Sequence, residues 1–238
     1  MRIYQLFQKG IPEYLARHYW WAYLWRPAIW FFDHQFIINL ILFGQYKRLL
    51  NAALDMVPAT DGETLQLTCA YGHLTPKLLE KLDKNKLYII DVAQQQLLQA
   101  RKKVNVLRLI ASRMNAEKLA FKNQSFDTVI VFFLLHELPE DVREKVLSEL
   151  LRVVKNNGIL VFVDYSHAPV QHILYRLWIF RTIITKLEPF LASLWKVNID
   201  ERLALIGRVQ KKELTLEKSV TVFNGFYFVK RFSVKQLS

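Results

Sequence analysis

Apolar runs of strand length alternate with amphipathic stretches of helix length through the middle of the chain. The runs are LQL from Leu65, LYIID from Leu87, FDTVIVFFLL from Phe126 and GILVFVDY from Gly158. Between them lie PKLLEKL and DVREKVLSELLRVV, in which apolar residues recur every three or four positions. Strands that alternate with helices predict a parallel sheet covered on both faces. We therefore expect an α/β, doubly wound domain.

The segment after the first apolar run has the position of a nucleotide-binding turn but few of its glycines. Residues 65–75 read LQLTCAYGHLT, and Gly72 is the glycine that remains at the tight turn. The second strand ends in Asp91, 19 residues after Gly72. An acid at about this distance accepts hydrogen bonds from ribose hydroxyls in dinucleotide-type half-folds. The order of strand, turn, helix, strand and acid predicts a nucleotide site at the carboxyl ends of the strands.

Two features follow the central series. Apolar residues at helical spacing from Ile173 to Leu194 predict one helix, which we expect to cover the sheet, although such a helix can also rest on a membrane. Residues 215–235 read as two strands turned at Asn224 and Gly225, which would complete one edge of the sheet.

The first 50 residues hold 14 of the 32 aromatic side chains. Such a composition suits helices at a lipid headgroup boundary or above an apolar pocket, and it is also compatible with simple packing on the domain. We divide the chain into an N-terminal helical extension, residues 1–58, which faces substrate or membrane, and a Rossmann-like domain, residues 59–238.

The net charge of +12 is concentrated late in the chain, with +3 in residues 1–60, +2 in residues 61–164 and +7 in residues 165–238. Lys and Arg form no cluster or motif typical of nucleic-acid binding, so an anionic membrane surface is the favoured partner. No run reaches the roughly 18 uncharged apolar residues of a spanning helix. We expect peripheral association, at the cytoplasmic face of an inner membrane or the matrix side in a mitochondrion.

Cys69 is the single cysteine, which excludes an internal disulfide and a cysteine-cluster metal site. The first 20 residues lack the continuous apolar core and the cleavage site of a secretory signal, so we expect none. The oligomeric state is left open by the sequence.

Residues 126–166 resemble the second half of class I S-adenosylmethionine (SAM)-dependent methyltransferases, in which a strand and a His-containing loop precede a helix, a Gly turn and a further strand. The resemblance covers roughly residues 60–165 and implies a mostly parallel, seven-stranded sheet that binds SAM. In that superfamily the first loop usually reads acid-x-Gly-x-Gly-x-Gly. Here Gln66 replaces the acid, and Thr68 and Ala70 replace two glycines.

Together with CAYGHLTP from Cys69 and the aromatic segment of residues 18–50, the altered loop resembles the rhodoquinone biosynthesis family. Members of that family replace a ring methoxy group of ubiquinone with an amino group, with SAM as the amino donor and manganese (Mn2+) as the metal. The implied partner is thus ubiquinone, a lipid-soluble substrate. We hypothesise that neutral Gln66 leaves the donor amine uncharged, because a carboxylate there would favour the ammonium form.

The resemblance assigns the cofactor site as follows. Asp91 is expected to bind the ribose, the loop to line the methionine portion, and Asn115 with Ala116 to approach the adenine. The full set is Gln66, Cys69, Ala70, Tyr71, Gly72, Asp91, Val92, Asn115 and Ala116. Cys69 reads as a small turn filler rather than as a nucleophile.

The catalytic candidates are Gln66, His136 and Tyr46. Because Mn2+ favours carboxylate and imidazole ligands, His136 and Asp164 are the candidate ligands, although each has a structural alternative as a cap or a turn residue. Glu137, next to His136, has the alternative of a solvated side chain. The stretch LFGQYKRLL resembles the entry helix of quinone C-methyltransferases, which favours Tyr46 as a contact to the quinone head. The substrate-binding candidates are His18, Tyr19, Tyr23, Tyr46 and Tyr165.

Two alternatives to quinone amination stay open. One is an ordinary SAM-dependent methyltransferase that acts on a quinone or another lipophilic phenol. The other is a non-catalytic, membrane-associated partner that has kept the fold. The altered first loop disfavours the first alternative, and the retained Gly72, Asp91 and His136 disfavour the second. Fold alone does not decide, because function resides in the site.

Overall fold

The structure is a computed structural model that describes residues 10–59, 62–69, 71–104 and 106–237. Within these residues, seven strands form one sheet in the order β3-β2-β1-β4-β5-β7-β6. The strands are β1 (Thr64–Leu67), β2 (Leu87–Asp91), β3 (Leu109–Arg113), β4 (Phe126–Phe132), β5 (Val154–Tyr165), β6 (Lys212–Val222) and β7 (Tyr227–Gln236). The helices of the domain are α5 (Leu74–Lys81), α6 (Gln94–Lys102), α7 (Glu140–Val153), α8 (Ile173–Arg176), α9 (Trp178–Leu187), α10 (Leu191–Leu194) and α11 (Ile199–Val209).

The sheet confirms the predicted α/β architecture. β1 pairs in parallel with both β2 and β4, so the chain leaves β1 toward one side of the sheet and later returns to the other. At such a switch point the loops diverge and leave a crevice at the carboxyl ends of the strands. β4 and residues 158–165 of β5 are mainly apolar because both of their faces are buried. The crevice is therefore supported by buried strands.

The C-terminal hairpin is confirmed. β7 runs antiparallel to β5 and to β6, and β6 forms the edge of the sheet. Asn224 and Gly225 both have positive φ values, 48° and 80°, as the tight primed turn of a hairpin requires.

Four helices precede β1 and confirm the helical N-terminal extension. They are α1 (Glu13–Tyr23), α2 (Arg26–Phe32), α3 (Gln35–Ile41) and α4 (Tyr46–Met56). On α1, Ala16 and the following Leu24 belong to a small apolar cluster with Ala93, which comes just after β2. This contact holds α1 beside the carboxyl ends of the strands. α4 packs against β5 and β7.

The prediction of one helix from Ile173 to Leu194 is wrong. The chain leaves helical geometry at Leu177 and again at Glu188, which precedes Pro189 and has ψ of 83°. A residue before proline is driven out of helical geometry because the proline ring clashes with its backbone. The expected sheet cover is seen in part: Ile184 of α9 and Leu191 and Leu194 of α10 are buried in the main apolar core, whereas the other residues of α9 are exposed or half-buried. In the described residues, no helix is both long enough and apolar enough to cross a membrane.

Candidate functional site

A cavity of about 210 Å³ lies where α1, α3 and the loops after β1, β2, β4 and β5 meet. Its wall is mainly aromatic and aliphatic, with several buried or half-buried polar groups. These polar groups include Thr68, Cys69, Asp91, Gln96, Asn115, His136, Glu137 and Glu188. The cavity therefore occupies the crevice that the strand order predicts.

The turn after β1 is held by the N-terminal helices. Gly72 has φ of +84°, and a Cβ atom on it would lie 3.0 Å from Ile38 Cδ1 and closer still to the Tyr46 phenol. The Tyr46 hydroxyl accepts a hydrogen bond from the backbone N–H of His73 at 2.7 Å. Asp33 accepts one from the Gly72 N–H at 2.9 Å. Because these side chains fill the space above the turn, a glycine is required at position 72.

Lys103 closes the same turn from the other side. Its ammonium group donates to the Gly72 carbonyl at 2.9 Å and forms an ion pair with Asp33. A turn with few glycines is thus fixed by contacts from outside the loop.

Gln66 is fully buried and its amide is engaged within the turn. Its Nε2 donates to the Thr68 carbonyl at 3.0 Å, and its Oε1 accepts from the Thr75 hydroxyl at 3.0 Å. Gln66 is not among the residues that line the cavity. The predicted contact between Gln66 and a donor amine stays a prediction, and the structure shows a bridge between β1 and α5 instead.

Asp91 lines the cavity from the end of β2. Its carboxylate accepts the backbone N–H groups of Cys69 at 3.0 Å and Ala93 at 2.8 Å. Burial raises the pKa of Asp91 to about 6, against the lowering effect of these hydrogen bonds. Each carboxylate oxygen has a second lone pair, so Asp91 can still accept hydrogen bonds from a ligand's hydroxyl groups.

Most of the other predicted cofactor residues lie around the same cavity. Cys69, Tyr71, Val92, Asn115 and Ala116 all line it. Ala70 lies outside the described residues. Burial raises the pKa of the Cys69 thiol, which agrees with a filler rather than a nucleophile.

Tyr71 connects this loop to α1. Its ring stacks on Tyr23 with centroids 5.5 Å apart and an angle of 19° between the planes. Its hydroxyl donates to the carbonyl of Ala22 and accepts from Gln96 Nε2 at 3.0 Å. The two rings form a flat aromatic surface beside the cavity.

The polar end of the cavity is built on the loop after β4. His136 lies in a short 3-10 turn, Leu135–Glu137, and its Nδ1 lies 2.9 Å from Asp164 Oδ1. Asp164 is buried at the end of β5 and also accepts the backbone N–H groups of Leu135 and Tyr165, each at 2.8 Å. Asp164 therefore fixes the imidazole, whose Nε2 lies 3.9 Å from both Glu137 and Glu188.

Two tyrosines of α1 cover these carboxylates. Tyr23 donates a hydrogen bond to Glu137, and Tyr19 donates one to Glu188 at 2.9 Å. We call His136, Glu137, Glu188, Tyr19 and Tyr23 the acid–histidine cluster. Glu137 is buried, so its alternative as a solvated side chain is wrong. Glu188 was missed because it belongs to a segment predicted as a continuous helix.

The cluster holds protons near neutral pH. Burial alone would lower the pKa of His136, but the charge and the hydrogen bond of Asp164 raise it to about 9. Burial raises the pKa of Glu137 to about 8, although the nearby His136 opposes this. Burial also raises the pKa of Glu188. The expected neutral-pH state is a charged imidazolium beside a protonated Glu137.

The remaining substrate candidates divide into two groups. Tyr19, Tyr23, Tyr46 and Tyr165 line the cavity. His18 does not, because its ring packs edge-on against Phe190 at 5.4 Å between centroids. Tyr46 also supports the Gly72 turn, so it has a structural role whatever it binds.

The described side chains around the cavity offer few ligands for a metal ion. In the parts of the chain that the structure describes, no group of three or more His, Cys, Asp or Glu side chains is arranged to hold one. Of the two candidate ligands, Asp164 is already bonded to His136 and to two backbone N–H groups. The described residues therefore do not fit a resident metal, and manganese stays a prediction.

Comparisons with known proteins agree with this geometry. Residues 64–158 match the family model described as a methyltransferase domain. The ubiquinone/menaquinone biosynthesis C-methyltransferase UbiE of Escherichia fergusonii is 28% identical over 139 residues, which cover 56% of this chain and 55% of that protein. The chain thus spans about half the length of the curated relatives it matches.

Solved structures share the fold at low sequence identity. A SAM-dependent methyltransferase from Aquifex aeolicus has a TM-score of 0.57 and 21% identity, covering 87% of this chain and 97% of that one. A possible histamine N-methyltransferase from Thermotoga maritima has a TM-score of 0.59 and 16% identity, covering 90% and 97%. The fold is that of class I SAM-dependent methyltransferases.

Proposed function

We propose that this protein is a SAM-dependent transferase that modifies the ring of a lipid-soluble quinone, and that it replaces a methoxy group of ubiquinone with an amino group to give rhodoquinone. The observation that carries the proposal is the acid–histidine cluster, which faces the same cavity as Asp91. A nucleotide-binding acid and a buried proton-transfer group thus share one largely apolar space.

The chemistry of the side chains fits SAM. The Asp91 carboxylate suits the ribose hydroxyls, and Asn115 with Ala116 and Met114 lines the wall expected for the adenine. Asn115 is held in a tight turn by its own hydrogen bonds with Glu117, at 2.9 and 3.1 Å, so its position is fixed. When bound, SAM would supply the group to be transferred.

The cavity suits a quinone ring. The stacked pair Tyr23 and Tyr71, together with Phe133 and Tyr165, provides flat apolar surfaces on the side of the acid–histidine cluster. UbiE, by its name, acts in ubiquinone and menaquinone biosynthesis. That likeness supports a quinone as the substrate class here.

Substitution at the ring requires two proton movements. A carbon–nitrogen bond forms as the amine attacks, the carbon–oxygen bond to the methoxy group breaks, and methanol leaves with the proton that the amine gives up. Glu137, whose pKa of about 8 lies near neutral pH, is the residue we expect to exchange that proton. The imidazolium of His136 would stabilise negative charge that develops on the quinone oxygens. The bond between the nitrogen and the methionine carbon must then break as an elimination: the nitrogen keeps the bonding electron pair and takes up a proton, and the methionine fragment loses a proton from the neighbouring carbon as a carbon–carbon double bond forms.

Amination rather than methylation is supported by the altered turn after β1. The acid that usually meets the methionine amino group is replaced by Gln66, whose amide is bonded to Thr68 and Thr75. A carboxylate at position 66 would favour the ammonium form of the donor amine, and this chain has no carboxylate at that position. Methyl transfer to a quinone or phenol ring is the second candidate, and the methyltransferase-domain match of residues 64–158 favours it.

The two candidates are separated by the mass of the product. Purified protein is incubated with SAM and a short-tailed ubiquinone, with and without Mn2+, and the quinone is analysed by mass spectrometry. Replacement of methoxy by amino lowers the mass, whereas methyl transfer raises it. Unchanged quinone under all conditions would refute both candidates.

The role of Glu137 is tested by Glu137→Gln, which keeps the shape of the side chain but cannot exchange the proton. We expect turnover to fall by about 10²–10⁴-fold with little change in SAM affinity. Glu140→Gln, the same change at an exposed position three residues away, is the matched control and should leave turnover unchanged. Equal activity of Glu137→Gln and Glu140→Gln would remove Glu137 from the reaction.

A further inference from the structure

Exposed hydrophobic side chains are concentrated in two short parts of the chain. Of the 21 large hydrophobic residues exposed in the described structure, 14 belong to residues 21–41 or 170–187. Scattered exposed apolar residues are normal, but a concentration of this kind marks a surface that binds something.

α9 shows the pattern most clearly. Ile179, Ile183 and Leu187 follow one another at intervals of four residues, so they form a single ridge along the helix. Their side chains are 57%, 53% and 57% exposed, and the ridge lies next to the buried Ile184. A helix that packed on the sheet would bury such a ridge, whereas α9 presents it to the outside.

The second part is formed by α2 and α3. Trp30, Phe31, Phe36, Leu40 and Ile41 are all exposed. The two parts adjoin, because Phe43, just after α3, packs against Phe180 of α9 with ring centroids 5.6 Å apart. We call the exposed apolar residues of α2, α3 and α9 the docking face.

The charge around this face is positive. Arg176, Arg181 and Lys186 are exposed on and beside α9, and residues 166–187 contain no Asp or Glu. Arg26 is exposed at the start of α2. Apolar and aromatic side chains flanked by Lys and Arg fit the boundary of a bilayer that contains anionic lipid.

The cavity opens beside this face. Trp21 and Ile41 line the cavity and are also exposed, so they form part of its rim. The C-terminal end of α9 is held near the cavity by the hydrogen bond between Tyr19 and Glu188, the residue that follows the helix. A molecule dissolved in the bilayer would reach the cavity without crossing water.

We propose that the docking face binds the protein to an anionic phospholipid bilayer, with the cavity rim against the lipid. Binding by this face does not depend on which group the protein transfers, or on whether it transfers one. Vesicle binding and product formation are therefore separate measurements, and either can fail without the other.

The test is co-sedimentation of the full chain with vesicles of phosphatidylcholine alone and of phosphatidylcholine mixed with phosphatidylglycerol. The unchanged protein should sediment with the mixed vesicles, and less with neutral ones. The double variant Ile179→Glu with Ile183→Glu should weaken binding at least about tenfold, since it places two carboxylates on the apolar ridge. Both positions are exposed, so folding should persist, as circular dichroism would verify.

Val209→Glu is the matched control. Val209 is 85% exposed at the end of α11, outside the docking face, and the change introduces the same side chain. It should bind mixed vesicles nearly as well as the unchanged protein. The proposal is overturned if the unchanged protein binds no vesicle, if the α9 variant binds equally well, or if Val209→Glu loses binding to the same extent. A dimer that the α9 variant dissociates, without vesicle binding, would assign the face to a second copy of the chain.

Discussion

Gly72 and Gly44 have similar backbone conformations, with φ of +84° and +77°, but different surroundings. At Gly44 an added Cβ would meet nothing within 4 Å, whereas at Gly72 it would collide with Tyr46 and Ile38. The difference comes from the N-terminal helices, which lie directly on the turn. Gly72 is therefore the point at which the N-terminal extension and the α/β domain depend on each other.

We predict that Gly72→Ala lowers the free energy of unfolding by about 2–4 kcal/mol, since it adds overpacking to the strain of a positive φ. Gly44→Ala, with strain alone, should lower it by about 1 kcal/mol. Urea unfolding of both variants measures the difference. If both variants lost the same free energy of unfolding, the side chains of Tyr46 and Ile38 would move aside at little cost, and the turn would not be held by α3 and α4.

Some residues of the candidate site could be predicted from the sequence, and others could not. Asp91 was predicted at the cavity because it ends a strand at the expected distance from Gly72, and Asn115 because the family resemblance implied it; both line the cavity. The orientation of Gln66 was not predictable, since it depends on Thr68 and Thr75 as partners. The role of Glu188 could not be predicted from the sequence because its hydrogen-bond partner, Tyr19, is 169 residues away along the chain.

The 3-10 turn that carries His136 and Glu137 depends on one buried cation, Arg143 of α7. Its guanidinium donates to the carbonyls of Leu135 at 3.0 Å and Leu138 at 2.9 Å, and to the Ser193 hydroxyl at 2.9 Å. Arg143 thus ties the turn to α10. A planar fork of donors is needed, because these acceptors lie in different directions.

We predict that Arg143→Lys lowers the free energy of unfolding by about 2–4 kcal/mol, because a single ammonium group leaves buried carbonyls without donors. Arg202→Lys, at a half-exposed ion pair with Glu144, should change it by less than about 1 kcal/mol. Denaturant unfolding of the two variants gives the comparison. If the Arg143→Lys protein were as stable as the unchanged chain, the hydrogen bonds of the Arg143 guanidinium would not be needed to hold the turn.

Elements with a strong internal period were predicted well, and those set by their surroundings were not. β4 and α7 follow directly from apolar runs and helical spacing. The segment from Ile173 to Leu194 has helical spacing too, but Pro189 and the extended Leu177 divide it. Whether its apolar ridge faces the sheet or the outside is not encoded in the spacing, since both surroundings favour the same pattern.

Buried groups with raised pKa values give the molecule a characteristic response to pH. The pKa of Glu137 rises from 4.5 to about 8 on folding, and that of His136 rises from 6.5 to about 9. In both intervals the folded protein binds more protons than the unfolded chain, so stability falls as the pH rises. The acid–histidine cluster should therefore make the fold less stable at pH 9 than at pH 5.

We predict that Glu137→Gln flattens the fall in stability between about pH 4.5 and 8, while the part due to His136, between about pH 6.5 and 9, remains. Thermal unfolding of both proteins across this range provides the measurement, with Glu140→Gln as the control. Identical pH profiles for Glu137→Gln and the unchanged protein would mean that folding does not raise the pKa of Glu137.

In the proposed reaction the nitrogen of SAM becomes bonded to the quinone ring. The most direct measurement uses SAM whose amino nitrogen carries an isotope label, incubated with the protein and a short-tailed ubiquinone, followed by mass spectrometry of the quinone. We predict a product that has lost its methoxy group and carries the labelled nitrogen. A quinone product that carries a transferred methyl group and no label would contradict the claim.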